Sequence, residues 1–219
     1  MKSKLIEFFM KYREIVWPEE RINSFDSRLI LKNAVRNLLV VSGSYVILYF
    51  IVYIFKFSTY MSYNEKVIAD LNSKNGNLFQ KFLNTYPGNL IYIVLTLIIF
   101  AILMTIISYL LSLLLEVDKR EFKLHLGLNL RAVTTAFSVF PFVLFFNSLF
   151  ATGPSVDRFA ASILVSSWVI LGITSFLISL RCYIRDNEEI FRQPKRRSAI
   201  AWGIPFYFVL NFMFGVIFK

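Results

Sequence analysis

Five stretches of the chain carry no charged residue: 37–55, 82–115, 132–156, 159–180 and 198–218. A helix needs roughly 20 mostly apolar residues to cross a hydrocarbon core of about 30 Å. Each stretch is about that long or longer, so each predicts a membrane span. Inside lipid the backbone must satisfy its own hydrogen bonds, which leaves helices and closed barrels. The stretches are continuous rather than alternating, which excludes a barrel. The expected fold is therefore an all-α integral membrane protein with five transmembrane helices. The spans fall at about 37–56, 89–115, 132–152, 159–181 and 198–218. The second stretch is longer than one span needs, and its helix is expected to start near Asn89, after Pro87-Gly88. At 219 residues and 57% apolar, the chain leaves little outside the spans for a second domain.

Charge gives the spans a direction. Lys and Arg number eighteen in residues 1–36 and the second and fourth loops together, against six in the remaining segments. The richer side belongs in the cytoplasm, so the N-terminus is expected inside and the C-terminus outside. Arg28, Lys32, Arg36, Lys195, Arg196 and Arg197 form a basic cytoplasmic rim suited to anionic headgroups. The formal net charge of +10 comes mainly from this asymmetry, since the inner segments hold a surplus of seven. Nucleic-acid binding would call for a folded basic face with aromatic platforms, and it is not expected. The N-terminus does not read as a secretory signal, because Glu7, Lys11 and Arg13 interrupt its apolar run.

Residues 1–36 form an amphipathic cytoplasmic segment. An amphipathic interfacial helix is expected over 3–17, where Leu5, Phe8, Phe9, Lys11 and Tyr12 recur at helical spacing, Glu7, Arg13 and Glu14 interrupt, and Trp17-Pro18 closes the helix. Packing on a neighbouring inner loop is the other use for that face. Ser24 or Asp26 can cap a helix that runs into the first span. The outer loop, 57–88, predicts two short helices around Asn75-Gly76-Asn77. Tyr45, Tyr49 and Tyr53 sit four apart and read as a packing stripe. Thr152-Gly153-Pro154-Ser155 reads as a tight outer turn.

The spans hold little to react with. No ionisable residue falls within their uncharged cores, which argues against proton coupling. His125 is the only His and is placed in an inner loop, opposite Ser155 on the outer side, so no nucleophile meets a base. One Cys, Cys182, excludes an internal disulfide and one His excludes a multi-His metal site; no cofactor is expected. Pro141 is expected to kink the third span by freeing the Phe137 carbonyl, and Pro205 to do the same in the fifth. Asn147 and Asn211 can bond neighbouring helices, typically for about 0.6–2 kcal/mol. Ser162/Ser166 and Ser175/Ser179 flank Gly172 and permit close helix approach. Pro141, Asn147, Trp168, Gly172 and Asn211 are the candidate packing or partner-interface positions.

The plan of five spans, N-inside and C-outside, with certain local patterns, resembles the Yip family of Ypt/Rab-interacting membrane proteins in its bacterial branch. The residues concerned are Val117-Asp118-Lys119-Arg120-Glu121-Phe122-Lys123, leading through Leu130-Arg131-Ala132-Val133 to Phe140-Pro141. Trp168 with Leu171-Gly172-Ile173, and Trp17-Pro18 followed by Phe25, are similar to further family patterns. In place of the Gly pair usual before Phe-Lys stands Val117-Asp118-Lys119-Arg120. The resemblance implies no catalytic residue. In eukaryotes it implies trafficking and small-GTPase binding, a role not carried over to a bacterial member.

The expected function is that of a non-enzymatic membrane protein of a bacterial inner membrane. It would bind a membrane-protein partner or a second copy of itself, or organise lipid. The alternative is a channel or transporter component, passive or lipid-handling.

Overall fold

The computed structural model describes residues 2–18, 26–115, 121–150 and 158–217. Ser24, Phe25, Val117–Arg120 and the Thr152–Ser155 turn lie outside the described residues. Among those described, every regular element is a helix: α1 Lys2–Val16, α2 Ser27–Phe55, α3 Phe57–Ser73, α4 Leu78–Asn84, α5 Asn89–Leu114, α6 Phe122–Phe137, α7 Phe140–Phe150, α8 Arg158–Phe191 and α9 Lys195–Ile217. Four candidate spans are long and apolar enough to cross a membrane: Ser27–Phe55, Asn89–Leu114, Phe122–Leu149 and Ser162–Phe191.

The helix ends follow local chemistry. Asp26 accepts the Arg28 N–H at 2.8 Å and starts α2 ten residues before the uncharged stretch begins. Asn77 and Gln80 close a capping box on α4. The turn before it places Asn75 at φ 56°, a conformation Asn tolerates. The segment 57–84 is thus helix–turn–helix, as its sequence suggests. Helix α8 has 34 residues and runs about 51 Å at 1.5 Å per residue, far beyond a bilayer core.

Three expectations need correction. The third span does not kink at Pro141; the helix stops at Ser138–Val139 and restarts at Phe140. Pro141 then sits in the first turn of α7, where its missing N–H leaves no bond unmade. Second, His125 is not in a loop but lies within α6 and is fully buried. Third, the helices do bury charge, because Asp186 on the extended α8 is fully enclosed. By contrast α9 passes through Pro205 as one helix.

The chain forms two compact units. Unit 1 comprises Met1–Ser42, Ile99–Val139 and Gly172–Lys219. Its centre is α6, buried without interruption from Ala132 to Val139. Met104, Leu128, Val133, Tyr183 and Trp202 fill the surrounding core. Gly127 lets α2 approach, since a Cβ there would lie 3.0 Å from Ile30 Cγ2 and 3.1 Å from the Leu31 backbone N. Unit 2 comprises Gly43–Ile98 and Phe140–Leu171, with Tyr45, Tyr49 and Leu144 at its core. Both units expose Ile and Leu along α5, and Val, Ile, Leu and Trp are exposed along α8. Apolar exterior and polar interior together are the arrangement expected where lipid is the solvent.

Candidate functional site

The chemistry of unit 1 gathers where α6 meets α8. On α8, Cys182 and Asp186 are four apart, as are Tyr183 and Asn187, so each pair shares a face. On α6, Arg131 and Thr135 are likewise four apart. Arg131 Nη1 lies 3.5 Å from Asp186 Oδ2, and Arg185 Nη2 lies 3.4 Å from Oδ1. The Cys182 thiol donates to Asp186 Oδ2 at 3.6 Å. The carboxylate is 0% exposed while the two guanidinium side chains keep about a fifth of their surface. A buried carboxylate persists only when paired and hydrogen-bonded. Here both oxygens are engaged, so the cluster joins two helices rather than presenting a free acid.

Further buried polar groups line the same helices. Ser108 Oγ and His125 Nε2 share a hydrogen bond of 3.1 Å between α5 and α6. The Trp202 indole N–H donates to Ser179 Oγ at 3.2 Å, and its ring stacks on Tyr183 at 5.0 Å. The Asn129 amide is buried with no hydrogen-bond partner among the described residues. Among the described residues no group of three or more His, Cys, Asp or Glu is placed to hold a metal ion.

Helix α1 is clasped onto this assembly at the end of α6. Tyr12 donates its hydroxyl to the Ser138 carbonyl at 2.8 Å. Thr135 Oγ1 donates to the Ile15 carbonyl at 3.3 Å. Arg185 donates to the Pro18 carbonyl, and the Arg181 guanidinium sits 3.7 Å above the Trp17 ring. Burial pushes the Tyr12 phenol above its ordinary pKa. From α8, Ser175 Oγ donates to the Ala136 carbonyl at 2.9 Å. Carbonyls near the α6–α7 break are thus taken by hydroxyls of α1 and α8, as a broken helix in lipid requires.

In unit 2 the aromatic residues condense. Tyr86 stacks on Tyr60 at 4.0 Å and on Tyr49 at 5.8 Å, and Tyr53 stacks on Tyr60. Asn64 braces Tyr86 by accepting its N–H at 2.8 Å and donating to its carbonyl at 2.9 Å. Tyr49 donates to Asn89 Oδ1. The tyrosine stripe of α2 is therefore the seam that binds the α3–α4 hairpin.

The candidate interface residues separate. Asn147 and Trp168 meet, the indole N–H donating to Asn147 Oδ1 at 2.6 Å. Trp168 stays half exposed. Asn211 bonds its own helix, at the Tyr207 carbonyl, and is exposed. A Cβ on Gly172 would meet nothing within 4 Å among the described residues. Ser162 and Ser166 are exposed, whereas Ser175 and Ser179 are buried. Arg28, Lys32, Arg36, Lys195, Arg196 and Arg197 are all exposed. Sequence reasoning missed Asp186, Arg131, His125 and Asn129. Their signal was the four-residue recurrence of polar side chains within apolar helix, as in His125 and Asn129.

No protein-family model, no curated protein and no solved structure matches the chain.

Proposed function

We propose that the protein is a five-span membrane-organising or scaffolding subunit without enzymatic activity. The fifth span is α9, and α1 lies at the cytoplasmic surface. The N-terminus is cytoplasmic and the C-terminus outside, in a bacterial inner membrane. The observation that carries the reading is the inward clamping of the polar groups. Asp186 is held by two arginines, and the α6–α7 break is filled by Tyr12 and Ser175. What remains outside is apolar helix surface, the half-exposed Trp168 and the open Gly172, beneath a basic rim. Such a surface suits lipid, a membrane-protein partner or a second copy. The resemblance to bacterial Yip-family proteins agrees with this role. Extraction in mild detergent should retain a stable complex with a membrane-protein partner, and Trp168→Ala with Gly172→Leu should release it. A monodisperse single chain carrying no partner would oppose the reading.

A passive channel or lipid-handling component is the second reading, favoured by the helix break inside the Phe122–Leu149 span. Transporters bind substrates at such discontinuities. Flux in proteoliposomes that Asn147→Leu abolishes, with folding intact, would favour it.

A further inference from the structure

Helix α1 has two apolar faces, and among the described residues one of them packs on the rest of unit 1. Tyr12 and Ile15 turn toward α6, bonded through the Tyr12 hydroxyl and the Ile15 carbonyl. Ile6, Phe9 and Met10 recur at helical spacing on the opposite side, while Trp17, just beyond the helix, is covered by Arg181. Ile6 is 63% exposed, Phe9 62% and Met10 51%. Lys4, Glu7, Lys11 and Glu14 occupy the flank, with Lys11 paired to Glu7 at 2.9 Å.

We infer that this open stripe is a docking face for an anionic lipid monolayer. The inference rests on the membrane reading above and deepens it: the lipid-facing residues are Ile6, Phe9 and Met10, while Tyr12, expected from sequence to dip into lipid, holds the helix to the protein. Two observations select lipid. The exposed rim of the same unit carries Arg28, Lys32, Arg36, Lys195, Arg196 and Arg197, and basic residues of this kind favour anionic headgroups. A second copy fits poorly. The stripe offers Ile6, Phe9 and Met10, against the roughly 20–30 residues a side that a stable interface engages.

The test uses the full chain in nanodiscs, with Cys182→Ser and a single environment-sensitive label. The discs contain phosphatidylcholine alone or with phosphatidylglycerol, and a lipid-borne quencher. A label at Phe9→Cys should be quenched, more strongly in the anionic discs. The anionic increment should fade in high salt, as the Debye length falls from about 10 Å at 0.1 M to about 3 Å at 1 M. A label at Glu14→Cys should remain unquenched. Ile102→Cys, on the exposed face of α5, reports on the membrane reading itself. Quenching at 102 without quenching at 9 would overturn this inference alone; quenching at neither would overturn the membrane reading. Disulfide cross-linking between copies through position 9 would replace lipid by a second copy and also overturn the inference.

Discussion

Removing Arg131 should cost more than removing the charge it neutralises. Two unit charges 3.5 Å apart attract by roughly 4–5 kcal/mol at an effective dielectric of about 20. Orphaning a buried charge costs about 3–5 kcal/mol. In Arg131→Met, Arg185 still reaches Asp186 at 3.4 Å, which brings the loss to about 3 kcal/mol. Asp186→Asn leaves two arginines, each about one-fifth exposed, that can turn toward water. Its loss should be about 1–2 kcal/mol. At about 2–4 °C per kcal/mol for a chain of this size, the shifts are about 6–12 °C and 2–8 °C. Cys182 provides the assay, because it is the one cysteine, is buried, and touches Asp186. A fluorogenic maleimide in detergent should therefore stay dark until α6 and α8 part on heating. An Arg131→Met melting point within about 2 °C of the parent, or a larger loss for Asp186→Asn, would refute the reasoning.

Glycine substitutions should diverge in the same melting assay. Gly127→Ala pushes a methyl to 3.0 Å from Ile30 Cγ2 and 3.1 Å from the Leu31 N, and should cost about 1–3 kcal/mol. Gly172→Ala meets open space and should be neutral or stabilising by up to about 1 kcal/mol. Trp202→Ala should cost about 3–5 kcal/mol, whereas Trp202→Phe keeps an aromatic ring against Tyr183 and should cost about 1 kcal/mol for the bond to Ser179. Docking of α1 should weaken at alkaline pH. The Tyr12 phenol is raised by burial, so its contribution is complete below about 10, the ordinary tyrosine value, and is lost as pH climbs toward the folded value. A spin label at Glu14→Cys should become more mobile over that range, and Tyr12→Phe should remove the Tyr12 titration.

The helical class and four candidate spans were legible, because long apolar runs need no tertiary information to read. Helix α5 begins at Asn89 and ends one residue short of the expected 115. The Asp26 cap and the hairpin turn were equally local. Helix lengths were less legible. Charged residues at 181–189 read as loop, yet α8 continues through them to Phe191. The buried cluster was hidden for a related reason. Arg131 and Asp186 are far apart in sequence, and each alone reads as a solvated charge; only the packing of α6 on α8 makes them partners. The α6–α7 break was half legible: Pro141 announced a disruption, but a stop rather than a kink also depends on Tyr12 and Ser175 bonding carbonyls at the end of α6.

The most direct test of the proposed topology places single cysteines at Asn75 and Arg196 in a Cys182→Ser chain. A membrane-impermeant maleimide is then applied to intact spheroplasts. Both positions are exposed. Position 75 should label from outside, and position 196 only after the membrane is opened. Labelling of both from one side, or of position 75 only after opening, would contradict the account.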